Sequence, residues 1–129
     1  MEKYFLSTAE TFIMKAIWDS NGRKISTCDL ILIIKEKYGK EYARTTITTF
    51  LEKLSHKGFV KCRREGKYSY IESIKDEEEY VAEVISNQID YWYGGSVKHA
   101  ISALIERDKV SKKDLEQIFA IISNVVEKK

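Results

Sequence analysis

A row of threonines at helical spacing, an arginine ahead of it and a basic run just behind it are the groups in this chain best suited to chemistry. In the segment 44–56, Ile47, Phe50, Leu51 and Leu54 read as a buried stripe. At about 100° per residue, that stripe turns Thr45, Thr48, Thr49, Glu52, Lys53 and His56 outward. Exposed threonines are unusual on a surface helix, because β-branched side chains lose rotamer freedom there. In a nucleic-acid groove they make sense: the hydroxyl reaches phosphate or base, and the methyl meets the thymine methyl. Arg44 stands at the helix opening, where reading helices meet base edges. Lys61, Arg63, Arg64 and Lys67 follow, with Arg23, Lys24 and Lys40 as further cations, to neutralise phosphates by counterion release. Glu52 opposes this arrangement unless it accepts from cytosine N4 or points clear of the groove.

Other chemistries find little support. His56 and His99 are the only histidines, they fall on different predicted helices, and no clustered Cys/His spacing suggests zinc. No nucleophile motif or carboxylate pair stands out, and Gly94-Gly95 lacks the context of a phosphate loop. Cys28 and Cys62 read as apolar fillers outside any redox motif. The expectation is a non-enzyme with no cofactor and no metal.

The candidate groups need a scaffold, and the chain punctuates one. Ser7 with Glu10 forms a capping box ahead of Ile13, Met14, Ile17 and Trp18. This predicts a helix over Thr8 to Trp18, ended by Asp19-Ser20-Asn21-Gly22. Ser26 with Asp29 opens a second helix through Leu30, Ile31, Ile33, Ile34 and Tyr38, stopped by Gly39. The third covers Arg44 to Lys57, closed by Gly58; its start has no clear cap, since Ala43 is a poor one. Phe59 to Arg64, a turn at Glu65-Gly66-Lys67, and Tyr68 to Ile74 read as a β-hairpin, with Val60, Cys62, Tyr68 and Tyr70 as packing candidates. A helix over Glu77 to Tyr91 follows. Ser96 then caps one carrying Ile101, Leu104 and Ile105, and Ser111 with Asp114 opens the last.

Helix, helix, short turn, helix and basic hairpin is the order of a winged helix-turn-helix, which sets its third helix in the major groove and its hairpin beside the backbone. The predicted fold class is mostly α with a small β-hairpin wing, divided into a winged helix-turn-helix DNA-binding domain over 1–75 and a three-helix dimerisation domain over 76–129.

Composition agrees with that division. The 129 residues are 43% hydrophobic and 33% charged, which suits a small globular protein. No run approaches the roughly 18 apolar residues of a membrane span. The opening Met1-Glu2-Lys3-Tyr4 lacks the apolar run of an export signal, so a cytoplasmic location is expected. The formal +2 hides an uneven distribution: residues 1–75 hold 15 Lys/Arg against 9 Asp/Glu, and residues 76–129 hold 7 against 11. A basic first lobe suits a polyanion. In the second lobe Ile101, Leu104, Ile105, Leu115, Ile118, Phe119, Ile122, Val125 and Val126 are more apolar surface than three thin helices cover. A second copy is the simplest cover, with Trp92 and Tyr93 as aromatic anchors. The expected partners are a double-stranded DNA operator and a second copy of the chain, with no membrane insertion. Two alternatives stay open: a winged-helix module that grips an acidic protein, and a non-specific architectural DNA binder.

Taken together, these segments resemble the BlaI/MecI/CopY family, the penicillinase-repressor type of bacterial transcriptional regulator. The resemblance rests on Leu6-Ser7-Thr8-Ala9-Glu10 with the apolar residues after it, on Ala43 to Leu51, on Lys57-Gly58-Phe59-Val60, and on Arg64 to Tyr70. It continues through Trp92-Tyr93-Gly94-Gly95 and Leu115 to Ile122, and so spans about residues 5–127. It implies a homodimeric repressor on an inverted-repeat operator, with Thr45, Thr46, Thr48 and Thr49 on the recognition helix and Tyr68, Ser69 and Tyr70 on the wing. Better-studied members carry Pro and Lys where this chain has Arg44 and Thr45, and Arg where it has Thr48, which implies a different operator sequence. The bond cleaved in the antibiotic-resistance branch corresponds to Ala103-Leu104 here, not Asn-Phe. The Cys-x-Cys cluster of the copper-sensing branch is absent, as no cysteine follows Cys62. The inducer is not named by any of these residues.

Overall fold

Serine caps open the helices as their spacing predicts. In the computed structural model, which describes residues 5–20 and 24–129, the Ser7 hydroxyl accepts from the Glu10 N–H and the Glu10 carboxylate accepts from the Ser7 N–H at 2.8 Å. That box starts α1 (Thr8–Trp18). A two-residue strand, β1 (Ile25–Ser26), leads into α2 (Thr27–Tyr38), which Ser26 caps and Gly39 ends at φ 65. Next comes α3 (Arg44–His56), preceded by Ala43, which makes no side-chain cap bond. The expected stop of α1 at Asn21-Gly22, and Arg23 beside it, lie outside the described residues.

The hairpin is β2 (Val60–Glu65) and β3 (Tyr68–Ser73), in register from Val60↔Ser73 to Glu65↔Tyr68. Gly66 and Lys67 form the two-residue loop, and the φ of 62 at Gly66 is what a type II′ turn requires at its first central position. β1 pairs with β3 through Ile25↔Ile71, so the sheet order is β1-β3-β2. Such a short strand leaves no periodic signal, and the sequence did not reveal it. Burial in the hairpin also differs from expectation. Val60 is buried as predicted and Tyr70 is partly covered, but Cys62 and Tyr68 are exposed and Ile71 takes the core position instead. The sheet order accounts for it: Ile71 lies on the central strand β3, whereas Cys62 opposite it lies on the edge strand β2 and Tyr68 lies beside the hairpin loop.

Ile13, Met14, Ile17, Leu30, Ile34, Ile47 and Leu54 are wholly buried, with Phe59, Val60 and Ile71 nearly so. Phe50, expected in the same stripe, is half-buried and packs its ring edge-on to Tyr42 at 6.1 Å. One charged group lies inside this core. Glu10 is 2% exposed, and its carboxylate accepts from Lys57 Nζ at 2.7 Å as well as from Ser7. Lys57 Nζ also donates to the Phe5 carbonyl at 3.3 Å, tying the residue after α3 to the start of α1. Burial pushes the Glu10 carboxyl up. The hydrogen bond from Lys57, the one from the Ser7 N–H and the Lys57 charge together outweigh it, so the pKa falls below the ordinary carboxylate value.

The last contributor to the core is Tyr80, on α4 (Glu77–Tyr93). Its ring meets Phe59 edge-on at 5.1 Å and Trp18 at 5.9 Å, and its hydroxyl accepts from the Leu6 N–H at 2.8 Å. Trp18 Nε1–H donates to the Lys75 carbonyl. The chain forms two compact units, Met1–Ala82 and Glu83–Lys129, and α4 runs across that boundary. The acidic run 76–79 therefore belongs to the first unit. There the Asp76 carboxylate accepts from the Glu79 N–H, and Glu77 pairs with Lys15 at 2.6 Å. Counted by units, the large charge asymmetry disappears: residues 1–82 hold 15 basic and 13 acidic side chains, and residues 83–129 hold 7 of each. The basic character of this protein is local, not a property of one whole lobe.

The second unit contains the rest of α4, α5 (Val97–Glu106) capped by Ser96, and α6 (Lys112–Lys128) capped by a Ser111–Asp114 box. α4 runs two residues past its expected end, and Gly94 and Gly95 follow it with φ of 58 and 85. No side chain from Glu83 onward is buried.

Candidate nucleic-acid interface

The outward face of α3 is as the periodicity predicts: Thr45, Thr48, Thr49, Glu52, Lys53 and His56 are all exposed, and Thr46, which the family resemblance adds, is exposed too. Two of the threonines bond back along the helix. The Thr48 hydroxyl donates to the Arg44 carbonyl at 2.9 Å, and the Thr49 hydroxyl to the Thr45 carbonyl at 3.0 Å. Arg44 is exposed, and its Nη1–H points to Cys28 Sγ at 3.4 Å, a weak acceptor. Lys53 lies over the Phe50 ring.

Between α3 and the hairpin lies a cleft of about 400 Å³. Arg44, Thr48, Glu52 and Ser55 line its helix side, Cys62, Arg64, Ser69 and Tyr70 its strand side, and Thr27 its floor. The buried Thr27 hydroxyl donates to the Ser69 carbonyl, fixing α2 to β3 at this point. The sheet register splits the basic wing residues. Arg64 shares a hairpin face with Cys62, whereas Lys61 and Arg63 alternate with them and leave from the opposite face, and Lys67 sits in the loop. The structure thus brings Arg44, Thr48, Arg64, Ser69 and Tyr70 to one cleft. Thr45, Thr46, Thr49 and Lys53 lie elsewhere on α3.

Among the described residues, Arg44, Lys53, Lys61, Arg63, Arg64 and Lys67 form no ion pair, while Lys15, Lys24, Lys35, Lys37 and Lys57 all do. Six cations on α3 and the hairpin therefore keep their full charge for an outside anion. Lys24 does not join them: it holds both carboxylate oxygens of Glu65 at 2.8–2.9 Å and covers the Tyr70 ring. Lys40 lies over the Phe12 ring of α1. The Cys62 thiol is pushed above its ordinary pKa by partial burial, the reverse of an activated thiolate. No group of three or more metal-ligating side chains occurs among the described residues.

Comparison with known proteins places this arrangement. The family model for the penicillinase repressor matches residues 6–124. This chain belongs to the penicillinase repressor family. Within that family, the penicillinase repressor of Bacillus licheniformis is 26% identical over 118 residues, covering 91% of this chain and 88% of that one. The methicillin resistance regulatory protein MecI of Staphylococcus aureus strain N315 is 25% identical over 120 residues, covering 93% and 94%. A chain of the solved hsRosR-S1 complex has a TM-score of 0.57 at 11% identity, over 98% of this chain and 97% of that one. That likeness shows the fold: a winged helix-turn-helix followed by helices. For this penicillinase repressor family member, the family points to a DNA-binding transcriptional repressor. Among its described residues no helix is long and apolar enough to cross a membrane.

Sequence reasoning missed three features that hold this face in place. The Glu10–Lys57 pair joins residues 47 positions apart, and Tyr80 stands in an acidic helix start with nothing to mark it as core. Thr27 becomes a cleft residue only once the hairpin folds back over α3. Only the capping role of Glu10 left a signal in the chain.

Proposed function

We propose that this family member is a homodimeric repressor that binds an inverted-repeat operator in double-stranded DNA. Its winged helix-turn-helix over residues 1–75 supplies one reading head per half-site, and residues 76–129 supply the dimer contact. The observation that carries this reading is the set of unpaired cations that flanks an exposed threonine face on α3. Arg44, Thr45, Thr46, Thr48, Thr49 and Lys53 face the major groove. Lys61, Arg63, Arg64, Lys67, Ser69 and Tyr70 hold the backbone beside it, by charge and by hydrogen bond.

The dimer contact draws on α4, α5 and α6. Trp92, Leu104, Ile105, Leu115, Phe119 and Ile122 are 41% to 72% exposed, while Tyr93, Ile101 and Ile118 are half-buried. Leu115, Ile118, Phe119 and Ile122 recur at the spacing of one helix face, the pattern of a seam that a second copy closes. A two-fold operator requires such a contact, because its half-sites lie about 34–36 Å apart and each takes one reading helix.

Fluorescence anisotropy against the DNA upstream of the protein's own coding sequence, beside a scrambled duplex and across a salt series, tests the reading. The expected result is tight preference for the native fragment with two chains per duplex. Equal, steeply salt-dependent binding to both duplexes would replace it with an architectural role. Absence of binding at low salt would replace it with a protein-interaction role.

A further inference from the structure

Thr48 and Thr49 form the exposed part of the second turn of α3, and each hydroxyl lies against the carbonyl four residues before it. A carbonyl oxygen carries no proton, so the hydroxyl is the donor in both contacts, and a threonine hydroxyl has one proton to give. While that bond is kept, each Oγ1 faces outward with lone pairs alone. The same bond fixes the rotamer: Oγ1 lies along the helix against the preceding turn, and the Cγ2 methyl is left to meet whatever docks there. Thr45 and Thr46 lie in the first turn, where the residues four positions back, Glu41 and Tyr42, precede the helix.

We propose that the second turn of α3 reads T·A base pairs, packing Cγ2 against the thymine 5-methyl while Oγ1 accepts from the adenine N6 amino group. This rests on the operator reading above and names the bases it would favour. The major-groove edge of a T·A pair carries both features, the methyl at the thymine end and the N6 donor beyond the thymine O4. A G·C pair also presents a donor, the cytosine N4 amino group, but it offers no methyl, and its guanine N7 and O6 need a donor, so the missing methyl is what disfavours it. The turn is thus a methyl reader with acceptor-only hydroxyls.

The test begins by selecting sites from a randomised duplex pool with the full chain. Each thymine of the selected half-site is then replaced singly by deoxyuridine, which removes only the methyl. The unaltered protein should lose affinity about fourfold at one or two of these positions, the effect of burying a single methyl. Thr48→Val and Thr49→Val keep a methyl in that place and should retain the sensitivity. Thr48→Ser and Thr49→Ser lose the methyl and should bind thymine and deoxyuridine duplexes equally at the position each touches. Because the deoxyuridine series uses unaltered protein, it does not depend on how any variant folds. A selected site in which every thymine tolerates deoxyuridine overturns the readout and leaves the operator reading standing. Failure to select any sequence, with equal binding to all duplexes, overturns the operator reading and the readout with it.

Discussion

Up to Ala82 the chain encloses seven side chains with no exposure at all, from Ile13 to Leu54, whereas from Glu83 onward it encloses none. Apolar content does not explain the contrast. α6 alone carries Leu115, Phe119, Ile121, Ile122, Val125 and Val126, all more than 40% exposed. What differs is arrangement. In the first unit three helices and a sheet converge on one interior, and two distant fastenings hold them there, Glu10 with Lys57 and Tyr80 with Phe59. In the second unit the apolar stripes outnumber the surfaces available to cover them. The first unit is stabilised by its own interior, and on the proposed reading the second is completed by association.

Charging the α6 face would break that contrast most severely. Phe119→Glu with Ile122→Glu is expected to leave the first unit folded and convert the protein to monomer in sedimentation. Operator affinity should then fall about 100-fold or more, as two linked half-sites become two separate ones. A dimer that persists would show that the exposed stripes have another purpose.

Truncation of matching apolar residues sharpens the comparison. Ile34→Ala, in the first unit, should cost about 2–5 kcal/mol of unfolding free energy at any protein concentration. Ile122→Ala should instead make the melting temperature depend more strongly on concentration. Glu10→Gln comes next, at about 1–3 kcal/mol, because it weakens a buried charged pair whose lysine remains partly solvated. Its pH dependence has a definite sign. The folded pKa is depressed, so this stabilisation is present above the ordinary value of 4.5 and is lost as pH falls through the lower folded value. Urea midpoints of the unaltered protein should drop across that window, and those of Glu10→Gln should drop less.

Two smaller effects separate the cations. Arg64→Gln should weaken binding to all duplexes and reduce the slope of log affinity against log salt by about 1, read from the anisotropy series. Lys24→Gln, which breaks a surface pair with Glu65, should change stability by less than about 1 kcal/mol and leave the salt slope unchanged. Equal salt slopes for the two variants would contradict the division between paired and unpaired cations.

Much of the fold was legible because its signals are local. The Ser7–Glu10 and Ser111–Asp114 boxes, Gly39 and the apolar periods of α1, α3 and α6 each act within a turn or two, and each element appears where they predict. The outward set on α3 was legible for the same reason, since helical period alone decides it. β1 was not legible, because two residues become a strand only when Ile71 lies beside them. Nor was the cleft: Arg64 and Ser69 meet Arg44 and Thr48 only after the hairpin has chosen its register.

The sequence by itself therefore determined the helices, the hairpin, the family and the residues α3 turns outward, since period and capping are set by neighbours along the chain. Tertiary structure alone decided which cations stay unpaired, which wing residues share a cleft with α3, and that the acidic run 76–79 belongs to the first unit. Those outcomes depend on residues tens of positions apart, such as Lys24 with Glu65 and Lys15 with Glu77, meeting in space.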